Sequence, residues 1–456
     1  MLHRTAITDL EKWYKSTRRK PLVLRGARQI GKSTSVELFA KKVGVELITV
    51  NCEKHRQLDD AFKTLDIEYI LTELEATAGK GAITNDKILF LDEIQTTPNA
   101  LQALRYFYEE RPELAVITAG SLLEFALSKH KFSMPVGRIQ YLHMGPLTFR
   151  EFVTSSEPQM IHYIDQIELE KPLPVAAHDK LLTLQRQYMF TGGMPEAISV
   201  FIETKSFSEV NEVHREIIET YIDDFSKYAQ NKDLVLLQRV FSSVPRLLGQ
   251  KIKYVNLAHG ERAATVRAMI ELLIKSQVVQ PIWHSHCSGV PLEADIDDSV
   301  FKLSFLDVGL ANYVCGINWQ YISGLNEVQL VNEGGMAEQF VAQQLVRIDN
   351  RKPALTYWLR EGRSSNAEVD FTIAIGQDIY PIEVKSGKSG SLKSLQQFIL
   401  NKGTTTALRF DQNQASLQTI EQQVKTKDGS EPITYQLISL PLYGVQELPR
   451  LLHKVT

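Results

Sequence analysis

A glycine-rich stretch near the start of the chain constrains the fold more than any other feature. Residues 21–44 read PLVLRGARQIGKSTSVELFAKKVG, in which the apolar run Leu22 to Leu24 predicts a strand and the spacing of Val36 and Phe39 predicts a helix. The residues between them fit G-x-x-x-x-G-K-[ST], a loop whose backbone N–H groups face phosphate at a helix N-terminus. The alternative is an ordinary glycine turn. We predict a nucleotide-binding loop formed by Gly26, Ala27, Arg28, Gln29, Ile30, Gly31, Lys32, Ser33 and Thr34.

A second predicted strand carries a pair of acids. Residues 86–95 read DKILFLDEIQ, where Ile88 to Leu91 predict a buried strand that ends in Asp92 and Glu93. Lys32 would reach the outer phosphates of ATP, while Ser33 and Asp92 would hold Mg2+. Glu93 would polarise the attacking water, a role that hydrolysis needs and nucleotide storage does not. The pattern predicts an Mg2+-dependent ATPase, and the alternative is a strand that ends in solvated acids.

The composition is that of a chain with several domains. It has 456 residues, of which 43% are hydrophobic and 23% are charged, and no run is long and apolar enough to cross a bilayer. Its three cysteines lack paired spacing, and the N-terminal sequence lacks the apolar stretch of a secretory signal. A formal net charge of -3 means that nucleic acid would have to contact local basic patches, such as Lys12 to Lys32. We expect a cytoplasmic protein with no membrane partner.

The chain resembles AAA-type P-loop ATPases of bacteria and archaea that carry a C-terminal PD-(D/E)xK nuclease-like domain of uncharacterised function. The matching stretches are VLRGARQIGKS, ILFLDEIQ, ITAGSLLEF, VGRIQYLHMGPLTFREF, FTGGMPEAI and YPIEVKSG. The resemblance implies that Arg138 completes the nucleotide site, either within its own chain or in a neighbouring subunit of a homo-oligomer. From the residues alone, Arg138 is equally a surface arginine in a turn. The strand that ends near Ser121 would bring this hydroxyl to the terminal phosphate, although strands often end in Gly-Ser turns.

The middle of the chain is mostly helical in pattern. Residues 151–233 predict a helical lid that is broken at Gly192-Gly193 and Pro195. Residues 234–325 predict two helices joined near Gly260 and followed by two strands, which is a winged-helix pattern. The second of these helices carries basic residues that would either contact DNA or form a solvated face: Arg262, Arg267 and Lys275.

The C-terminal part combines a helix with a predicted hairpin. Glu338 lies near the start of the helix, and Glu383 and Lys385 share one face of their strand because side chains alternate along it. The loop around Gly376 predicts an antiparallel pair, in which Asp370 can lie across from them if the register allows. Two carboxylates can hold a divalent cation while a lysine stabilises the charge that develops on phosphate. This arrangement resembles the PD-(D/E)xK site, which implies catalytic Asp370, Glu383 and Lys385, with Glu338, Asp370 and Glu383 as metal ligands. The alternative is an ordinary amphipathic hairpin.

We therefore expect an α/β protein in four parts. These are a P-loop NTPase core of the AAA type (1–150), a helical lid (151–233), a winged-helix-like region (234–325) and a restriction-endonuclease-like α/β domain (326–456). The expected cofactors are ATP and Mg2+, and the expected partners are DNA or RNA and a second copy of the chain. We expect ATP hydrolysis coupled to nucleic acid, with a phosphodiesterase site in the C-terminal domain. The alternative is a regulatory ATPase whose nuclease-like domain binds nucleic acid or protein without cutting it.

Overall fold

The structure is a computed structural model, and it describes most of the chain. The described residues are 2–79, 81–120, 123, 137–317, 333–348, 354–361, 366–426 and 429–453. Ser121 lies outside them, so its predicted place beside the terminal phosphate stays a prediction.

The first part of the chain forms a five-stranded sheet in which all pairs are parallel, in the order β2-β3-β4-β1-β5. Its strands are β1 (Leu22–Arg25), β2 (Leu47–Asn51), β3 (Ile88–Asp92), β4 (Ala115–Ala119) and β5 (Gln140–His143). The strand β3 is apolar and buried up to its last residue, as expected for a parallel strand that is covered on both faces. Because the strands are parallel, their carboxyl ends share one edge, where the predicted loop begins after β1.

Helices cover both faces of this sheet. They are α1 (Thr5–Lys15), α2 (Lys32–Val43), α3 (Leu58–Lys63), α4 (Ile67–Ala78) and α5 (Pro98–Glu110). The chain leaves α2 through Gly44, which takes the left-handed conformation that glycine adopts without strain. The strand, loop and helix that the sequence predicts around the glycine-rich stretch are confirmed.

The next part is helical, as the sequence predicts. It contains α6 (Phe149–Ser156), α7 (Ile161–Asp165), α8 (Val175–Thr191), α9 (Pro195–Thr204) and α10 (Phe207–Asp224). The break between α8 and α9 falls at Gly192-Gly193, with Pro195 as the first residue of α9. A cluster of buried aromatic rings, including Phe149, Phe152 and Tyr188, packs α6 against α8. Within the described residues, no helix of the protein is both long and apolar enough to span a membrane.

The middle of the chain does not form a separate unit. Its helices are α11 (Asn231–Ser243), α12 (Tyr254–Leu257), α13 (Ala263–Lys275) and α14 (Val308–Val314), and its strands are β6 (Val279–Ser285) and β7 (Ile296–Phe305). The strands pair as the predicted hairpin, but β6 also pairs in parallel with a strand of the C-terminal part. The sheet therefore crosses the boundary that the sequence predicts between 325 and 326, which corrects the expectation of an independent winged-helix-like region.

The C-terminal part completes a mixed eight-stranded sheet in the order β12-β13-β11-β10-β9-β8-β6-β7. Its strands are β8 (Leu355–Arg360), β9 (Ala367–Ile375), β10 (Asp378–Val384), β11 (Thr406–Asp411), β12 (Ser416–Thr426) and β13 (Gly429–Pro441). Its helices are α15 (Glu333–Leu345), α16 (Lys393–Lys402) and α17 (Leu448–Leu452). The pair β9 and β10 is antiparallel, with Phe371 opposite Ile382, as the alternating pattern of the two segments predicts.

Candidate nucleotide site and acidic cluster

The loop after β1 has the backbone that close approach to phosphate requires. Gly26 has φ +154°, and a Cβ added there would lie 2.5 Å from the carbonyl oxygen of Met144, so only glycine fits. Gly31 takes a left-handed conformation with φ +82° immediately before α2. The N-terminus of α2 and the loop amides therefore point into the same space at the carboxyl edge of the sheet.

Lys32 is buried at the base of this loop. Its ammonium donates hydrogen bonds to the carbonyl oxygens of Gly26 at 3.0 Å and Ala27 at 2.7 Å. Burial lowers the pKa of Lys32 to about 8, while the nearby carboxylates of Glu93 and Asp92 oppose that shift. The loop carbonyls thus accept hydrogen bonds from the ammonium that the sequence predicts to bind the outer phosphates.

The two acids at the end of β3 are held in different ways. Ser33 Oγ donates to Asp92 Oδ2 at 2.8 Å, so the two predicted Mg2+ ligands are already neighbours. Glu93 has φ 54°, an uncommon conformation for a residue with a side chain, and its Oε2 accepts a hydrogen bond from Gln95 Nε2 at 2.6 Å. Burial raises the pKa of Asp92. The motifs in the sequence gave no role to Gln95, which the structure places beside the predicted water-polarising carboxylate.

The lid contacts the loop directly. Arg28 forms an ion pair with Asp224 at the end of α10, and Tyr221 Oη donates to the carbonyl oxygen of Arg28 at 2.7 Å. A Cβ added at Gly31 would lie 3.4 Å from Cγ of Pro195 at the start of α9. Two lid helices therefore pack on the phosphate loop, an arrangement for which the amphipathic pattern of α10 gave no signal.

Arg138 lies far from the loop of its own chain. It precedes β5, whose Gln140 pairs with Leu22 at the start of β1, whereas the phosphate loop follows the end of β1. Its guanidinium pairs with Glu109 at 3.0 Å near the end of α5. Arg138 thus lies at the opposite end of the strands from the loop, a position that does not favour the first of its two predicted roles, in the site of its own chain. A role in a neighbouring subunit stays a prediction.

The residues around the loop fit a nucleotide and Mg2+. Lys32 lies at the base of the loop, and the Ser33 hydroxyl and Asp92 carboxylate supply the oxygen ligands that magnesium prefers. When bound, Mg2+ would neutralise charge on the transferred phosphoryl group. Ser33 and Asp92 would hold it, and Lys32 would move from the loop carbonyls to phosphate oxygens.

Beyond the nucleotide site, Asp307 is a fully buried hub between the lid, the middle helices and α15. Its Oδ1 accepts from the N–H groups of Gly309 at 2.9 Å and Leu310 at 3.1 Å, which caps α14. Its Oδ2 accepts from the N–H of Gly193 at 2.6 Å and from Gln343 Nε2 at 2.8 Å. The fit is tight, because a Cβ added at Gly192 would lie 2.0 Å from Oδ1.

Buried glutamines of α15 form hydrogen bonds with other parts of the protein. Gln339 exchanges two hydrogen bonds with the backbone of Phe305 at the end of β7, with distances of 2.7 and 2.8 Å. Gln344 Oε1 accepts from the N–H of Phe149 in α6 at 2.8 Å. Arg347 donates to the carbonyl oxygen of His143 at the end of β5 at 2.6 Å. The helix α15 therefore contacts the lid and the second sheet, and the turn that follows it contacts the first sheet.

A buried ion cluster lies under α15, on the face of the second sheet. Lys302, from β7, is fully buried, and its Nζ lies 2.5 Å from Glu368 Oε1, 3.3 Å from Glu338 Oε2 and 3.9 Å from Asp370 Oδ1. The pKa of Lys302 is raised, because these carboxylates outweigh the burial that would lower it. Lys302 is absent from the sequence predictions, since its chain position is far from the hairpin that carries the motif.

The predicted hairpin site occupies the neighbouring strands. Asp370 Oδ2 accepts from the N–H of Val384 at 2.8 Å, and Lys385 Nζ lies 2.5 Å from Glu383 Oε1. The other oxygen of Glu383 is buried without a hydrogen-bond partner. Burial raises the pKa of Glu338 to about 8 and that of Glu383 to about 7. The structure thus brings Glu338, Asp370, Glu383 and Lys385 onto one face, as the sequence predicts.

These carboxylates do not fit a metal centre in this arrangement. An ammonium contacts Glu338 and lies near Asp370, and Asp370 also accepts a backbone hydrogen bond. In the described part of the chain, no group of three or more histidine, cysteine or acidic side chains is arranged to hold a metal ion. This corrects the expectation that Glu338, Asp370 and Glu383 share one divalent cation, and the cause is the lysine that β7 inserts among them.

A cleft of about 780 Å3 separates the first sheet from the β6–β7 hairpin and α15. It is lined by Arg25, Lys275 and Arg347, and by the half-buried ring of Trp283. Of the basic residues predicted on α13, Lys275 faces this cleft, whereas Arg267 pairs with Glu271 on its own helix. The cleft opens near the loop, since Ala27 also lines it.

Three separate stretches of the chain match family models. Residues 18–153 match a family model described as an AAA domain. The first part of the chain is therefore similar to AAA domains. Residues 182–321 match a domain of unknown function (DUF8612), and residues 333–443 match another domain of unknown function (DUF4143). A search of curated proteins found no match.

Three solved structures illustrate the structural likeness. The ORC1 protein of Aeropyrum pernix in complex with DNA is 14% identical, with 69% of this chain and 93% of that chain covered and a TM-score of 0.28. AMPPCP-bound DnaA from Aquifex aeolicus is 14% identical, with 60% and 88% covered and a TM-score of 0.27. The Thermotoga maritima RuvB Holliday junction branch migration motor is 16% identical, with 61% and 89% covered and a TM-score of 0.28. Such low TM-scores carry no argument about function.

Proposed function

We propose that this protein binds and hydrolyses ATP with Mg2+ at the loop after β1. The observation that carries the proposal is the hydrogen bond of 2.8 Å between Ser33 and Asp92, beside the buried ammonium of Lys32. A serine hydroxyl and a carboxylate at this separation can share one magnesium ion, and the lysine lies where phosphate charge would fall. Glu93 is the proposed general base, and its Oε2 accepts a hydrogen bond from Gln95 Nε2 at 2.6 Å.

The test separates binding from turnover. Phosphate release is measured for the wild type, Lys32→Ala and Glu93→Gln, and nucleotide affinity is measured with a fluorescent ATP analogue. We expect Lys32→Ala to lose both binding and turnover, and Glu93→Gln to keep binding while turnover falls about 100-fold or more, the usual contribution of a general base. Lys41→Ala, on the exposed face of α2, is the matched control. Unchanged turnover in Lys32→Ala would show that the assignment is wrong.

We propose further that Arg138 acts in a neighbouring copy of the chain. Its place at the edge of the sheet opposite the loop supports a role in trans, because that edge can face the nucleotide of another subunit. Equal amounts of Lys32→Ala and Arg138→Ala protein are mixed and assayed for turnover. A shared site predicts recovered activity, since a mixed pair contains one intact loop and one intact arginine. No recovery in a verified hetero-oligomer would contradict it.

We propose that ATP turnover is coupled to nucleic acid, which binds in the cleft beside Trp283. Cationic side chains at its wall suit phosphates, and an aromatic ring offers a stacking surface for a base. Binding of single-stranded DNA and RNA is measured by fluorescence anisotropy at several salt concentrations. We expect Trp283→Ala to weaken binding about tenfold and Lys275→Ala to lower the salt dependence. Equal affinity in wild type and both variants would contradict the cleft.

In this proposal the C-terminal domain binds without cutting, the regulatory alternative of the sequence analysis. Lys302 among the carboxylates supports it, since a phosphodiesterase of this type needs a bound cation there. Cleavage of single- and double-stranded DNA and RNA with Mg2+ is compared for wild type, Asp370→Ala and Lys385→Ala. Cleavage that disappears in both variants would favour the phosphodiesterase instead, whereas equal cleavage in all three would indicate a contaminant.

A further inference from the structure

The cluster under α15 contains its own cation. The ammonium of Lys302 has three N–H donors, and three carboxylates surround it, from Glu338 on α15 and from Glu368 and Asp370 on β9. The side chain has no exposure to solvent, and its Nζ lies 5.2 Å from the centre of the Tyr357 ring. A lysine in such a place is stable only because it is paired, since an isolated buried ammonium would lose its hydration without compensation.

A second element from the middle of the chain closes over the same cluster. Gly249 has φ +75°, and a Cβ added there would lie 2.7 Å from Glu338 Oε1, so the turn after α11 packs directly on this carboxylate. Lys302 and Gly249 come from different segments, one from β7 and one from the turn. Both segments precede the C-terminal part that carries the acids. The middle of the chain thus provides the cation and the cover of a cluster whose acids belong to another part.

We propose that Lys302 takes the place of a divalent cation in the C-terminal domain, so that this domain binds no metal while β7 is part of the sheet. The lysine prevents metal binding in two ways: it occupies the space among the carboxylate oxygens, and it partly neutralises their charge. A hard divalent cation needs several oxygen ligands at about 2.0–2.6 Å, and the ammonium prevents the carboxylates from converging to that distance. The inference does not depend on ATP hydrolysis at the first site.

The test measures metal binding directly. Mn2+ binding is followed by the loss of the free Mn2+ signal in electron paramagnetic resonance, in an Asp92→Asn background so that the nucleotide site does not contribute. We expect no Asp370-dependent Mn2+ binding in this parent. We expect Lys302→Met to gain one Mn2+ site that disappears when Asp370→Asn is added. Lys302→Arg, which keeps the positive charge, should gain no site.

Two results would overturn the proposal. One is Mn2+ binding by the parent that Asp370→Asn abolishes, and the other is a folded Lys302→Met variant that gains no site. If Lys302→Met is unfolded without metal, folding is followed by circular dichroism as Mn2+ is added. The proposal then expects Mn2+ to restore the folded state, because a ligand that binds only the folded state stabilises it, and expects no rescue when Asp370→Asn is also present. Failure of that rescue would equally overturn it.

Discussion

Replacement of Asp307 by alanine should destabilise the protein far more than loss of an ordinary helix cap. The carboxylate caps α14 and also accepts the N–H of Gly193 and the amide of Gln343, which are all buried. Loss of the cap costs about 1 kcal/mol, and each buried donor left without an acceptor costs roughly 1–3 kcal/mol. We therefore expect the free energy of unfolding to fall by about 3–7 kcal/mol.

The matched control is Asp66→Ala, which removes a cap at the start of α4. The Asp66 carboxylate accepts an exposed hydrogen bond from the N–H of Tyr69 at 3.1 Å, so its loss should cost about 1 kcal/mol. Both variants are unfolded in urea and followed by circular dichroism, and the midpoint of the first transition is compared with wild type. The midpoint of Asp307→Asn should lie between those of the two alanine variants. Asparagine keeps an oxygen that caps α14, but its amide N–H2 group faces two hydrogen-bond donors. Equal midpoints for Asp307→Ala and Asp66→Ala would refute the idea of a buried hub.

Three further outcomes follow from named contacts. Gly26→Ala should reduce ATP affinity at least tenfold, because its Cβ would meet the Met144 carbonyl oxygen at 2.5 Å, whereas Gly44→Ala, with open space at its Cβ, should leave affinity unchanged. Asp224→Asn should weaken ATP binding severalfold, because it releases Arg28 of the loop. Asp223→Asn, at an exposed position on the same helix, should leave the affinity unchanged. Equal ATP affinities of the two variants would contradict a role of the Arg28–Asp224 ion pair. Burial alone would raise the pKa of Glu151. The cationic and hydrogen-bonding partners of the carboxylate outweigh burial, so its pKa is below the usual 4.5. Its contribution to stability is therefore complete above that pH and lost as the pH falls further, so the difference in melting temperature between wild type and Glu151→Gln should shrink from pH 7 to pH 4.

Local motifs predicted the elements around the glycine-rich loop well because these elements are close in sequence. The strand, the glycine loop and the helix of residues 22–43 are consecutive, and β3 ends in Asp92 as its apolar run predicts. The hairpin of β9 and β10 was predicted for the same reason, since a period of two fixes which face each side chain takes. Elements that depend only on neighbouring residues can be predicted from the sequence.

Contacts between distant segments were not predictable from single motifs. Lys302 is one charged residue in an otherwise ordinary strand, and only the parallel pairing of β6 with β8 brings β7 to the acids. Asp224 likewise sits in a helix whose pattern indicates packing alone, until the fold places it beside Arg28. The predicted winged-helix-like region was not confirmed for the same reason. A hairpin has the same sequence pattern whether it stands alone or extends a larger sheet.

The shared eight-stranded sheet determines how the chain can be divided. A fragment that begins at residue 326 would lack β6 and β7, so one side of β8 would present unpaired backbone groups, which is a recognised route to aggregation. The same cut would remove Lys302 and leave its three carboxylates to repel one another. Evolution by domain exchange meets the same restriction: the segment from the hairpin to the C-terminal strands has to be inherited as one piece, although its two halves match different family models.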